Sequence, residues 1–246
     1  MDTIPAGRSD QRLPIYQRLK DTFVHRITQG EWTPAHPIPS ETQLSADFGV
    51  SVGTVRRAIE DMVQEGFLLR TQGKGTYVRR ADFGNALMRF FRYTDTTGTP
   101  LRPRSKMLSV TPAPAQASIN KRLQIEPSAP LLQLLRLRLI ADTPMLHEEI
   151  FVSRAAFAPL LSIPLADFGD LLYPLYETAC GHRVFRATET LRFDHAPDTI
   201  AQHLGVAPGE PIAVIERLAI GLDGHPLEWR RSVGLARQFT YSIELQ

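Results

Sequence analysis

The stretch HPIPSETQLSADFGVSVGTVRRAIEDMVQEGFLLRTQGKGTYV, residues 36–78, decides the fold of the N-terminal part of the chain. Ser40-Glu41-Thr42-Gln43 reads as a capping box, in which the Ser40 hydroxyl caps a helix and Gln43 reaches back. Leu44, Ala46, Phe48 and Val50 follow, and Gly49 supplies the tight turn between two helices. Ser51 opens the second capped helix, which carries Thr54, Val55, Arg56, Arg57, Ala58, Ile59 and Met62. Its first turn has short side chains at Ser51, Gly53 and Thr54, so it can approach a duplex closely. Phe67–Arg70 and Thr76–Val78 then read as two apolar strands around the turn Gln72-Gly73-Lys74-Gly75. A helix end that fits the major groove, beside a hairpin tip bearing Gly and Lys, is a device for reading DNA.

Upstream, Pro14 opens a helix whose apolar positions Ile15, Leu19, Phe23 and Ile27 step by four, and Gly30 ends it. Pro34, Pro37 and Pro39 stiffen the loop that follows. Residues 1–12 are polar and read as frayed. Arg79–Gly98 mixes charge, aromatics and Gly, and reads as a linker. The expected organisation is a winged helix-turn-helix at 10–78, the linker at 79–98 and a second domain at 99–244.

That second domain carries a diverged repeat. Leu123, Pro127, Pro130, Arg136, Leu137 and Asp142 recur 81 residues later as Leu204, Pro208, Pro211, Arg217, Leu218 and Asp223. Each copy reads as helix end, Pro-bounded turn, strand, Asp-containing turn, strand. The expected hairpins are Leu131–Ile140 with Met145–Val152, and Ile212–Ile220 with Leu227–Val233. Alternation puts Leu135, Leu137 and Leu139 on one face of the first strand, with Leu134, Arg136 and Arg138 on the other. Leu171–Cys180 reads as a helix stopped by Gly181. Two related hairpins in one antiparallel sheet with flanking helices make an α+β domain, of a kind that tends to leave clefts on one face.

Composition bounds the function without deciding it. The 246 residues, 43% apolar and 22% charged, suit two ordinary globular domains. Residues 1–80 hold eleven Lys/Arg against nine Asp/Glu, within a chain of formal charge +2. So small an excess argues nothing by itself. The DNA reading rests on where Arg56, Arg57, Lys74, Arg79 and Arg80 stand. Cys180 is the sole cysteine, which excludes an intrachain disulfide and a Cys-based zinc site. The N-terminus lacks a basic start and an apolar core, and no run approaches the ~18 apolar residues of a membrane span, so a cytoplasmic protein is expected. Gly73-Lys74-Gly75 lacks the spacing of a phosphate-binding loop. His147-Glu148-Glu149 invites a metal reading, but neighbouring strand residues point oppositely, and His182, His195, His203 and His225 show no ligand spacing. No cofactor is implied.

Several fixed spacings carry a resemblance. Leu13-Pro14-Ile15-Tyr16, Gly30, Ile38-Pro39-Ser40-Glu41, Phe48-Gly49-Val50-Ser51, Thr54-Val55-Arg56, and Glu65-Gly66 to Gly73-Lys74-Gly75-Thr76 resemble the GntR winged-helix domain. The second domain is similar to the UTRA effector-binding domain, a chorismate-lyase-like fold, of the HutC subfamily. There the matching residues are Arg136-Leu137-Arg138, Pro144 with Glu148, Leu172-Tyr173, Leu204-Gly205 with Pro208-Gly209, and Asp223-Gly224 with Pro226 and Glu228. The resemblance implies a ligand-controlled transcription regulator, usually a repressor, acting as a homodimer on a near-palindromic operator.

By position, the resemblance places Ser40, Thr42, Ser51, Val52, Gly53, Thr54, Arg56, Gln72, Gly73, Lys74 and Gly75 at the DNA. It places Arg136, Arg138, Glu148, Tyr173, Glu228 and Arg230 around the effector. Two departures touch the operator: Thr42 and Val52 stand where relatives commonly carry Arg. Each lost guanine contact is worth ~1–3 kcal/mol of discrimination. A diverged half-site, or contact of Val52 with thymine methyl groups, is the expected consequence. Two departures touch the effector. Leu171 replaces a Ser that helps hold phosphate, and Gly234 replaces a Tyr. The remaining arginines favour an anion such as a carboxylate, so the expected effector is an organic acid with an apolar portion. A lyase-like enzyme and a ligand-free architectural DNA binder are the alternatives. Against the enzyme, no nucleophile–base arrangement is recognisable.

Overall fold

Pro14 and Gly30 bracket the first helix as their chemistry requires. The computed structural model describes residues 13–79 and 103–239, which fall in two separate compact units. The expectations for residues 1–12 and for the linker beyond Arg79 lie outside the described residues. Helix α1 spans Ile15–Thr28 and buries Leu19, Phe23 and Ile27 completely. Ile15 does not join that stripe: it sits in the first turn and is 51% exposed.

Helix α2 (Glu41–Phe48) is capped by Ser40, whose Oγ accepts from the Gln43 amide at 3.1 Å. The reciprocal half of the capping box is absent. The Gln43 side-chain amide instead donates to Asp47 Oδ1 at 2.7 Å, a partner one turn on along the same helix face. Gly49 then takes a left-handed conformation with φ 64°. Helix α3 (Val52–Gln64) opens on Ser51, whose Oγ accepts from the Thr54 amide at 3.1 Å. Its buried face is Val55, Ala58, Ile59 and Met62. The hairpin pairs β1 (Leu68–Thr71) with β2 (Gly75–Val78). Gly75 is required there: φ is 121°, and a Cβ would stand 3.1 Å from Pro37 Cβ. Pro37 bridges Tyr77, and the Ile38 amide donates to the Thr76 carbonyl at 2.8 Å. The loop before α2 is thereby tied to the wing.

The second unit is one six-stranded antiparallel sheet in the order β3-β4-β5-β8-β7-β6. Its strands are β3 (Arg104–Ala113), β4 (Leu131–Ile140), β5 (Thr143–Ser153), β6 (Val184–His195), β7 (Pro211–Gly221) and β8 (Pro226–Leu235). Helix α4 (Ala117–Leu123) follows β3, α5 (Leu172–Cys180) follows β5, and α6 (Asp198–Leu204) follows β6. The repeat read from sequence is therefore a strand-helix-hairpin unit used twice, with the two hairpins meeting at β5 and β8. The outer strands β3 and β6 were not anticipated. They hydrogen-bond on one side only, and β6 is largely exposed along its length. Such edge strands carry no strong apolar signal.

Alternation sorts the two faces. One face packs Leu131, Phe151 and Trp229 against α4, and Val214, Val233 and Leu235 against α6. The other packs Leu132, Leu134, Ile150 and Val152 beneath α5 and two short 3-10 turns, Ala158–Ser162 and Leu165–Phe168. Gly181 ends α5 with φ 71°, as its position predicts. Among the described residues, no helix is long and apolar enough to cross a membrane.

Candidate functional site

Two constellations of arginine and glutamate stand out, one exposed and one buried. In the first unit, Glu41 opens α2, Arg56 lies one turn into α3, and Arg70 sits on β1. Arg56 Nε donates to Glu41 Oε2 at 2.9 Å, and Arg70 Nη2 donates to Glu41 Oε1 at 2.8 Å. The hydrogen bond that Arg56 donates to Glu41, then the Glu41 charge, raises the Arg56 pKa. Arg57 points elsewhere, stacking over the Tyr16 ring at 4.1 Å, as expected of a residue ~100° around the helix from Arg56.

The other sequence-predicted DNA residues stay at the surface. Ser40, Thr42, Ser51 and Gly53 are exposed, Val52 and Thr54 are half-buried, and Gln72, Gly73, Lys74 and Gly75 form the exposed wing tip. The Thr54 and Ser51 hydroxyls lie 2.8 Å apart. Sequence reasoning did not assign Glu41 or Arg70 to this surface, because a carboxylate shared across 29 residues leaves no local pattern.

In the second unit, the face beneath α5 holds Arg136, Arg138, Arg217 and Arg230, each at most 4% exposed. That burial excludes a solvated surface position for any of them. Cross-strand register builds the cluster: Arg136 stands opposite Glu148, Glu148 opposite Ser232, and Arg217 opposite Arg230. Arg136 Nε donates to Glu148 Oε2, and Ser232 Oγ donates to Glu148 Oε1 at 2.9 Å. Arg230 grips Glu228 with two hydrogen bonds of 2.9 Å. Glu228 also accepts from the Tyr176 hydroxyl at 2.8 Å and the Tyr173 hydroxyl at 3.1 Å. Arg217 Nε donates to Glu189 Oε1 at 2.6 Å.

These contacts fix protonation. Burial alone would raise the Glu148 carboxyl, but Arg136, Arg230 and Arg138, with the Ser232 hydroxyl, hold it well below the usual range. Burial would likewise lower Arg230, and Glu228, Tyr173 and Glu148 push it well above normal instead. Burial, then the Glu228 charge, raises both tyrosine hydroxyls. Tyr173 and Tyr176 are therefore more than packing; their hydroxyls stay protonated and donate.

Arg138 differs from the other three. Its partners are neutral oxygens: Ser105 Oγ at 2.7 Å, the Asp170 carbonyl at 2.5 Å and the Pro103 carbonyl at 3.1 Å. Its Nε is buried without a hydrogen-bond partner among the described residues. Burial first, then Arg136, lowers its pKa to about 10, which leaves it charged at neutral pH. Glu148, Glu189 and Glu228 each accept a hydrogen bond from one of the other three arginines, whereas Arg138 feels the charges of Glu148 and Asp170 without an ion pair among the described residues. Beside it opens a cleft of about 480 Å³, lined by Ser105, Met107, Leu139, Phe168 and Asp170 among others. None of the predicted effector residues, Arg138 included, lines this cleft itself; Arg138 reaches it only through Ser105 and Asp170, and Arg104, Lys106 and Asp142 add charge to its walls. Glu148, Glu228 and Arg230 are buried and engaged with one another. Leu171, just before α5, is half exposed where a hydroxyl was expected from relatives.

Arg217, Glu189, Tyr176, Ser232, Ser105 and Asp170 were not assigned from sequence. The repeat pairing Arg136 with Arg217 was the available signal for one of them. Among the described residues, no group of three or more His, Cys, Asp and Glu is placed to hold an ion.

A capped helix pair with a wing, followed by a second domain with a buried charged site, is the build of a DNA-binding regulator. Residues 15–78 match the family described as bacterial regulatory proteins, gntR family, and residues 99–240 match the UTRA domain. The chain belongs to the GntR family, in the branch that carries a UTRA domain. It is 29% identical to the HTH-type transcriptional regulator YurK of Bacillus subtilis, over 87% of this chain and 88% of that one. It is 27% identical to the HTH-type transcriptional repressor NagR of the same organism, over 93% of each. Among solved structures, the ligand-binding domain of a GntR-family regulator from Bordetella bronchiseptica superposes with TM-score 0.57 at 27% identity, covering 64% of this chain and 98% of that one. PhnF of Mycobacterium smegmatis shares the fold, with TM-score 0.55 over 92% of this chain and 98% of that one. The chain is a transcriptional regulator.

Proposed function

We propose that the protein is a homodimeric repressor of a near-palindromic operator, released or tightened by a small anionic metabolite in its C-terminal domain. The DNA-facing residues are Ser40, Thr42, Ser51, Val52, Gly53, Thr54 and Arg56, with the wing tip Gln72–Gly75. Two recognition helices enter successive major grooves, and the wings meet the flanking backbone. Relatives named as repressors, NagR among them, support the sign of regulation.

The observation that carries the effector reading is Arg138: a buried cation with neutral hydrogen-bond partners, two of which, Ser105 and Asp170, line a cleft, and a buried Nε with no partner among the described residues. An anion meeting that guanidinium gives it the direct ionic partner it otherwise lacks. Leu139, Met107 and Phe168 line the same cleft and favour an apolar portion, and Leu171 withholds the hydroxyl a phosphate would use. A carboxylate with an apolar tail fits best. The paired residues Arg136, Glu148, Tyr173, Glu228 and Arg230 hold the site rigid beneath it. Coupling of about 1–3 kcal/mol suffices to change operator affinity tenfold or more.

The test is a screen of carboxylates and sugar phosphates on the operator-bound protein. A carboxylate that shifts operator affinity in the wild type and not in Arg138→Gln supports the reading. A sugar phosphate acting equally on both proteins contradicts it.

A further inference from the structure

Glu41 places one oxygen on each of two exposed arginines that come from different elements. Arg56 lies on the recognition helix and Arg70 on the first strand of the wing, and their side chains are 57% and 45% exposed. The contact to Arg56 is made side-on through Nε. Neither Nη group of Arg56 has a hydrogen bond among the described residues. A guanidinium gripped at Nε has its plane fixed and its two terminal groups presented together. That is the donor pair that matches O6 and N7 of a guanine. Arg70 gives Nη2 to Glu41, and its nearest other carboxylate, Glu60, stands 4.0 Å from Nη1. It remains able to meet a phosphate.

We infer that Glu41 is a positioning residue for DNA recognition: it holds Arg56 for bidentate reading of a guanine and Arg70 for the adjacent phosphate backbone. The inference rests on α3 being the recognition helix. It assigns Arg70 a role that the sequence motifs do not. It also explains how this head keeps sequence discrimination with Thr42 and Val52 in place of arginines. The two cations beside Glu41 are locked before the duplex arrives, so less ordering entropy is lost on binding.

A plain surface ion pair predicts the opposite sign. Glu41 is a negative charge beside a polyanion, so its removal then tightens binding to every sequence. The experiment measures affinities of the full-length protein and Glu41→Gln for the selected operator, for operators with the contacted guanine replaced, and for unrelated duplex. All are followed across a salt series, with melting curves to confirm that Glu41→Gln stays folded. The expected result is that Glu41→Gln loses about tenfold in the ratio of operator to guanine-replaced affinity, while binding to unrelated duplex holds or strengthens. Arg70→Ala weakens all sequences alike and lowers the salt slope by about one phosphate contact. Unaltered discrimination in Glu41→Gln, with uniformly tighter binding, overturns the inference. Arg56→Ala separates the two levels. If it leaves operator affinity intact, the recognition-helix reading itself falls; if it weakens the operator while Glu41→Gln keeps full discrimination, only the role of Glu41 falls.

Discussion

The same pair of side chains, arginine and glutamate, is used in two opposite ways. At Glu41 the partners stand in water, where an ion pair contributes only about 0.2–1 kcal/mol to stability while still orienting both arginines. At Glu148 and Glu228 they are sealed at 0% exposure, where leaving either charge unpaired is costly. The first arrangement costs little to break, so it suits binding. The second is architecture. Arg138 belongs to the second region by burial and to the first by its unmet hydrogen bond, which is why an effector site is placed on it rather than on Arg136 or Arg230.

The contrast breaks most visibly at Glu148. Glu148→Ala leaves Arg136 and Arg230 facing each other without their shared carboxylate. Calorimetric or denaturant unfolding of the second unit should show a loss of about 3–5 kcal/mol; a loss no larger than at Glu41 would erase the distinction. Acid sharpens it next. His147 stacks on His203 at 4.8 Å, and burial first, then the His203 charge, lowers its pKa to about 4 from 6.5. Protons then bind the unfolded chain before the folded one. The contribution of His147 to stability is thus intact above about 6.5 and lost progressively as pH falls towards 4, amounting to about 3 kcal/mol. Melting curves of His147→Gln should flatten over that window relative to wild type, and an identical acid limb in both would remove His147 as its source.

Arg138→Gln comes third. Its partners are neutral, so the stability cost should stay near 1–2 kcal/mol, while the operator response to a carboxylate should vanish. A response of normal size would move the effector elsewhere. Smallest in stability is Glu41→Gln, at under about 1 kcal/mol by thermal unfolding; a larger loss would make Glu41 part of the fold.

Much of this was legible in the sequence because the signals were local or periodic. Ser40, Ser51 and Gly49 announced the helix pair through capping and left-handed turn chemistry, and the 81-residue recurrence announced two equivalent hairpins. What escaped was carried by register across distant strands. Arg136 and Glu148 are twelve residues apart and their strand motif exposes them, but Arg217 meets Glu189 and Tyr176 meets Glu228 only once the sheet order is known. Glu41 was read only as part of the Ser40–Gln43 capping box and of the motif that resembles the GntR domain. Nothing local said that β1 would return Arg70 to its other oxygen.

The most direct measurement of the account is selection of operator sites from random duplex DNA by wild type and Glu41→Gln in parallel. The account predicts a two-fold symmetric wild-type site with one strongly required guanine in each half, and loss of that requirement in the variant. A wild type that enriches no symmetric site, or a variant that demands the same guanine as strongly, would contradict it.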